Sequence, residues 1–594
     1  MRGSAKFSRL TVLGAVVLGL LLPLAAARAR DGGAGEGLNI PPAPQIGQQN
    51  VASADLLVAH PPTRPCIVTL FASDTFNDYA PRPFAYSPPA DCPGPWAKVV
   101  FVAHFNENPG VQFDRTAYVF IGNAALYFGT TPEPTSTVGP VWTVERDVTA
   151  YSALLAEPHS GAATIFNIVN STYTGVIHGS GYLYFYPLAG PRGERGSDDA
   201  ARLASADVPS AVYPLNSGNQ PSYLDSPANA LARQFVFPTN MTRMYLLITA
   251  QSQIGDEFWY TCVPDQYAAE LQNCGNTGYR QVVVQVDGRT VAYAPVSPWI
   301  YTGGIDPFLW QPTPGAQTLN FTPYRVNLTP LVAELDDGEP HTISVSVYND
   351  GNYFSVAANL LVYQDRQVRA LSGAVTAVDV PALDPTVSAD LSSGSAGLIS
   401  GSVTVSSAVH TRLAGYIDLP DGLRRTEVEQ DFNFANRQNY TINSTVYDQQ
   451  IALASSVRTL TRVSGADGRA AVKVRTWSFP LSLDYDQVEQ ANGDYDITST
   501  VLQHYAASRL PSFSAAAGRA VSDRVQAEDT LELDPSFNFL GHSGMSGSQQ
   551  FEFQSRGRGE PLCYERTITN LANAVAAVHD ARHCELLRGD DGRH

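Results

Sequence analysis

Basic residues are scarce in this chain. Thirty-eight Lys and Arg stand against 56 Asp and Glu, a formal net charge of −18. Nucleic acids and anionic membranes are held by basic surface, so neither is expected as a partner. Charge of either sign is thin as well: 16% of residues are Asp, Glu, Lys or Arg, below the usual quarter or so. Beyond the N-terminus no run is long and apolar enough to cross a bilayer. The familiar catalytic signatures are missing: G-x-S-x-G, H-E-x-x-H, a P-loop, and a G-x-G-x-x-G opening a helix. The scattered histidines support no Ser-His-Asp triad, and none of the six cysteines lies in a C-x-x-C or beside a histidine pattern for zinc. No repeat of fixed period is found.

Glycine (47), proline (41), tyrosine (28) and phenylalanine (25) are plentiful. With 594 residues, two or three domains are expected. The start reads as a signal peptide: "MRGSAKFSRL" is basic, "TVLGAVVLGLLLPLAA" is apolar, and Ala27-Arg28-Ala29 offers a small-x-small cleavage site. A secreted or periplasmic protein is expected. In such a protein six cysteines suggest disulfides, and the local pairs Cys66–Cys92, Cys262–Cys274 and Cys563–Cys584 are the simplest of fifteen connectivities.

The chain divides into a signal peptide (1–29), a flexible leader (30–60), a first jelly-roll domain (61–215), a second (216–368) and a β-rich C-terminal domain (369–594). Alternating runs around Gly122-Asn123, Asp287-Gly288 and Asn349-Asp350-Gly351 are hairpin signals, because two-residue turns of type I′ need positive φ. No helical pattern intervenes, so the expected fold is mainly β: two antiparallel sandwiches plus a β-rich region. Near the end, "ERTITNLANAVAAVHDARHC" spaces Leu571, Val575 and Val578 as on one helix face, which predicts a single terminal helix.

Candidate chemistry sits in short motifs. In "QFDRTAYVF", Asp114 and Arg115 head a strand whose alternation aims them at opposite faces. A salt-bridged strand end is the simplest account from spacing alone. "TPEPTST" fixes Glu133 between prolines. "VWTVERD" puts Glu145 and Asp147 on one strand face, with Trp142 and Val144 inward. "GDEFWYTC" sets Asp256 and Glu257 against Phe258, Trp259 and Tyr260, where an aromatic floor raises a carboxyl pKa and offers a sugar-shaped surface. "YTGGIDPFLWQP" is a Gly- and Pro-shaped loop carrying Trp310. Carbohydrate is the natural ligand class for such carboxylates and rings. A binding protein without turnover and a two-carboxylate glycoside hydrolase both remain open at this point.

The ordered series "QFDRTAYVFIGN", "TPEPTSTVGPVWTVERDVTAYSALL", "GDEFWYTCVPDQY", "YRQVVVQVDGRTV", "YTGGIDPFLWQPTPGAQTL" and "SVAANLLVYQD" resembles the acidic peptide:N-glycanase A family, over roughly residues 95 to 366. The resemblance implies a glycoamidase acting on N-glycoproteins or N-glycopeptides, at acidic pH, without metal or cofactor, and a monomer is expected. It implies Asp114 as the acid that activates water or the amide, Arg115 steadying it or the oxyanion, and Glu257 assisting the leaving nitrogen. Asp256, Trp259, Tyr260, Glu133, Glu145, Trp142 and Trp310 would contact substrate.

Overall fold

The structure, a computed structural model, describes residues 37–38, 40–188, 208–465, 468–511, 518–556 and 562–581. The expected signal peptide (1–29) and Cys584, the expected partner of Cys563, lie outside the described residues.

Strand formation follows the alternation. Ile177–Pro187 buries every second residue, as do Pro340–Tyr348 and most of Gly422–Ile442. The first sandwich pairs two four-stranded antiparallel sheets. One runs Cys66–Phe76, Ile177–Pro187, Trp96–Glu107, Val141–Asp147; the other Arg82–Tyr86, His159–Ile165, Thr116–Ile121, Ala124–Thr130. Gly122 and Asn123 turn the last pair with φ of 55° and 69°. In the second sandwich, Leu231–Val236, Pro340–Tyr348, Gln281–Val286 and Arg289–Pro295 face a sheet built on Met241–Ser252 and Phe354–Gln364. Asp287 and Gly288 supply its positive-φ turn, at 49° and 76°.

Phe354–Gln364 is buried along nearly its whole length. Leu361 and Tyr363 pack into the core of the first sandwich, while Leu360 and Val362 pack into the second. One strand thus serves two cores, which a continuous apolar run permits and strict alternation would not.

From Ser372 onward a twelve-stranded antiparallel sheet extends to Ala581. Its long strands Ile399–Leu419 and Gly422–Ile442 are 21 residues each and lay one apolar face on the second sandwich. Phe434 meets Tyr279 edge-on, ring centroids 4.8 Å apart, and Phe432 meets Tyr293 at 6.2 Å. Each fully buried ring contributes about 1.5–3 kcal/mol.

Two expectations are corrected. The terminal helix is absent: Leu562–Leu571 and Ala574–Ala581 form a hairpin. Ala572 and Asn573 make its turn with φ of 47° and 59°, and the strand Phe539–Arg556 offers the first arm a full edge. The helical spacing was fortuitous, since Leu571 is exposed while Ile568 and Val575 are buried. The leader is also not loose over its described part. Ala52, Ala54, Leu57 and Val58 are buried, and Ala54 exchanges hydrogen bonds with the side chain of Gln549. Cys66–Cys92 and Cys262–Cys274 are disulfides.

Gly415 marks where the long sheet touches the second sandwich. A Cβ there would fall 2.1 Å from the carbonyl oxygen of Pro330. Gly415→Val is expected to destabilise the protein by about 1–3 kcal/mol. Chemical denaturation checks this, and an unchanged midpoint would mean the two bodies do not bear on each other there.

Candidate active site

The hairpin of Thr116–Ile121 and Ala124–Thr130 continues past its last paired residues. Arg115 N–H donates to Thr131 Oγ1 (2.9 Å), and Thr131 N–H donates to the Arg115 carbonyl (3.0 Å). This brings Asp114 opposite the loop holding Glu133, and Asp114 N–H donates to Glu133 Oε1 at 3.1 Å. Glu133 lies against Gly303, whose φ of +97° and lack of a Cβ leave room for the carboxyl. A third segment follows Met241–Ser252: the turns Ile254–Asp256 and Trp259–Thr261, with Glu257 between them.

Asp256 and its neighbour Glu257 have opposite roles. Asp256 is buried and accepts from Arg280 Nε (3.0 Å) and Nη2 (2.9 Å). It also accepts from the backbone N–H groups of Gly351 (3.0 Å), Asn352 (2.6 Å) and Tyr353 (2.9 Å). With its lone pairs taken, it is an anchor. Glu257 is left half-buried, within electrostatic reach of Asp114.

Asp114, Glu133, Glu257 and Arg115 therefore meet in one place. Burial, then Glu257 and Glu133, holds the Asp114 carboxyl well above the usual carboxylate range, while Arg115 pulls it down. Burial raises Glu133 to about 8 and Glu257 to about 7. Carboxyls this close and this dry cannot all ionise together. The cluster retains protons where isolated carboxyls would have lost them, and can both give and take one. The Arg115 guanidinium does not bond Asp114. It donates to Gln112 Oε1 through Nε (3.1 Å) and Nη2, and lies 5.9 and 5.8 Å from the rings of Phe113 and Tyr173.

The other expected residues stand apart. Trp259 and Tyr260 are 1% and 0% exposed and pack in the interior, Trp259 against Phe434. They offer no face to a sugar; the rings that read as an aromatic floor are buried, Trp259 against the long sheet. Trp310 is buried, with its indole N–H bonded to the Gly304 carbonyl (2.8 Å). Trp142 stacks on Phe105 inside the first sandwich (5.3 Å). Glu145 pairs with His60 (2.7 Å) beside a separate groove of about 800 Å³. Asp256, as shown, is structural.

Two neighbours escaped sequence reading. Glu107, 3% exposed, ends the strand Trp96–Glu107 with neither carboxyl oxygen hydrogen-bonded. Burial, then Glu133, raises it to about 8. Its only signal was an acid falling in the inward phase after Ala103 and Phe105. Tyr301, whose hydroxyl donates to the Ser252 carbonyl (2.7 Å), feels both Glu257 and Asp114. The accessible aromatic surface near Arg115 is Phe113, half exposed, tilted against Tyr173 at 5.2 Å. Among the described residues no three His, Cys, Asp or Glu side chains are grouped to hold a metal ion.

Comparison with known proteins adds the following. The model of the family described as peptide N-acetyl-beta-D-glucosaminyl asparaginase amidase A matches residues 60–381. The chain is 28% identical over 525 residues to the peptide-N4-(N-acetyl-beta-glucosaminyl)asparagine amidase A of Prunus dulcis, covering 86% of this chain and 88% of that protein. Among solved structures it is similar to a peptide-N(4)-(N-acetyl-beta-D-glucosaminyl) asparagine amidase at 12% identity, with 52% of this chain and 98% of the other covered and a TM-score of 0.34. PNGase F, a glycosylasparaginase from Flavobacterium meningosepticum, is similar at 14% identity over 51% and 96% of the two chains, with a TM-score of 0.31. These scores are too low to bear on the fold described above.

Two outcomes are expected of the site as a structure. Asp256→Ala strands the buried Arg280 and frees three N–H groups, so it should cost about 3–5 kcal/mol in a denaturation experiment. Glu107 is neutral in the folded state up to about pH 8, far above its ordinary value. A raised folded pKa gives stability present in acid and lost as pH rises towards 8. Glu107→Gln should therefore leave the melting temperature near that of wild type at pH 4 and raise it above wild type at pH 8.

Proposed function

The chain belongs to the peptide N-acetyl-beta-D-glucosaminyl asparaginase amidase A family, and from that premise we propose that it hydrolyses the amide bond joining asparagine to the first N-acetylglucosamine of N-glycans. Water adds to the side-chain amide carbon, the carbon–nitrogen bond breaks, and the nitrogen leaves with the sugar as a glycosylamine. The asparagine becomes aspartate. The observation that carries this reading is the convergence of Asp114, Glu133 and Glu257 with Arg115 from three separate segments.

The proton inventory suits the reaction. Below about pH 7, Glu257 and Glu133 hold protons. Burial, then Glu257 and Glu133, keeps the Asp114 carboxyl well above the usual carboxylate range, and Arg115 pulls it back. In the proposed step the ionised form of Asp114 is the base that takes a proton from the attacking water. Glu257 gives its proton to the departing nitrogen, which would otherwise leave as a poor anion. Arg115, fixed by Gln112, offers positive charge near the developing oxyanion. Glu133 accepts from hydroxyl or amide groups of the first sugar. Phe113 and Tyr173 supply the apolar surface first assigned to Trp259 and Tyr260. Export to the periplasm or the exterior is part of the proposal, supported by the basic and apolar N-terminal run and by the two disulfides.

Digestion of a glycopeptide tests this. Wild type should release the whole glycan and leave aspartate, a mass gain of about one unit over asparagine by the chemistry of amide hydrolysis. A sugar remaining on asparagine would indicate a glycosidase, and an intact glycopeptide a binding protein. Asp114→Asn and Glu257→Gln are each expected to lower kcat by about 100-fold or more while keeping the wild-type melting temperature. The wild-type rate should fall as pH rises through about 7, where Glu257 loses its proton. A rate that climbs through that range would remove Glu257 as the acid.

A further inference from the structure

In a chain this acidic, four arginines converge on one cavity far from the carboxyl cluster. Arg475, Arg509 and Arg519 lie directly opposite one another on three neighbouring strands: Arg475 pairs with Arg509, and Arg509 with Arg519. Residues so paired share a sheet face about 5 Å apart, and like charges placed that way repel. The next row along the same strands is Trp477, Ala507 and Val521, which is apolar and, at Ala507, small. Arg325 approaches from the second sandwich on the strand Tyr324–Asn327, its guanidinium 3.6 Å from the ring centroid of Tyr245. Between the rows and Arg325 lies a cavity of about 330 Å³.

The charges are not neutralised from within. Arg475 and Arg509 make no hydrogen bond or ion pair among the described residues, and Arg325 Nε is buried without a partner. Among the described residues only Arg519 of the four has an acid near, Asp147, and Lys98 also holds that acid at 3.4 Å. The resulting field is felt by its surroundings. Burial, then Arg325 and Arg509, pushes Arg475 down to about 9. Burial would raise the Tyr245 hydroxyl, yet Arg325, Arg243, Lys473 and Arg475 together bring it below its ordinary value.

We propose that this cavity is a binding site for an oxyanion (sulfate, phosphate or the carboxylate of an acidic sugar), gripped by Arg475 and Arg509, with Arg325 facing them and Trp477 as its apolar wall. Guanidinium groups match such anions in geometry as well as charge, through paired N–H donors. The volume exceeds that of a bare inorganic ion and leaves room for a sugar-sized body behind the charge. Arg325 pairs with Leu247, five residues before Ser252 on the strand that leads to the carboxyl cluster. That is roughly 17 Å away along the strand, so occupation of one site leaves the other free.

The test uses the full-length protein without glycopeptide, so it stands or falls independently of the amidase reading. Sulfate, phosphate and N-acetylneuraminate are titrated by calorimetry and thermal denaturation against chloride at matched ionic strength, with N-acetylglucosamine as the neutral control. At least one oxyanion should bind saturably and raise the melting temperature beyond chloride. Arg475→Gln should weaken that binding at least tenfold, and Arg509→Gln, at the exposed rim, should do the same if the first variant fails to fold. Binding of sulfate or phosphate identifies a free ion as sufficient, and preference for N-acetylneuraminate identifies a glycan-borne anion; either supports the site. No response beyond chloride for all three, or wild-type affinity in the folded variants, overturns it.

Discussion

Asp256 is the fixed point on which the site depends. A carboxylate buried this deeply is tolerated because a guanidinium and three backbone N–H groups surround it. The arrangement ties the turn after Met241–Ser252 to the loop before Phe354–Gln364, and Gly255 N–H adds a bond to Asn352 Oδ1 (3.0 Å). Because Asp256 cannot move, the next residue cannot either. Glu257 is thereby presented to Asp114 at a set distance, without a rigid element of its own beneath it.

The long C-terminal sheet completes this bracing from the other side. Asn436 Nδ2 donates to the Tyr260 carbonyl (2.8 Å), and Gln438 Nε2 to the carbonyls of Tyr260 and Cys262 (3.1 and 2.9 Å). Amide side chains from a strand thus satisfy the irregular backbone of the turn, which buried polar groups require. The sheet seats Trp259 as well. Its contribution to the carboxyl cluster is to keep the Glu257 segment dry and still, which sustains the raised pKa values that the proposed chemistry uses.

Much of the fold was legible because period-two alternation and positive-φ turn residues are local signals. Gly122-Asn123 and Asp287-Gly288 announce hairpins without reference to the rest of the chain. The terminal hairpin was not legible, because Leu571, Val575 and Val578 fit a helix as well as a strand, and only the free edge of Phe539–Arg556 decides between them. At the site, Asp114, Arg115, Glu133 and Glu257 were all singled out from sequence. The errors concerned orientation. Asp256 and Glu257 are adjacent acids, and nothing in their local sequence says which one turns inward. Trp259 and Tyr260 were mistaken for a surface because the sheet that covers them begins more than a hundred residues later. Glu107 was passed over because its importance lies in what surrounds it.

The early segment has a consequence for the order of assembly. Gly47 N–H donates to the Val575 carbonyl and Val575 N–H returns a bond to Gln48, while Arg566 holds the carbonyls of Pro41 and Pro42. Residues such as Pro42 thus wait for a hairpin residue 524 positions further along the chain. Until that hairpin arrives, the seam that Ala52, Ala54 and Leu57 close stays wet. The contact is a clasp fastened late, and a nascent chain not yet extended through Leu562–Leu571 and Ala574–Ala581 would carry an open flank however well its sandwiches had formed.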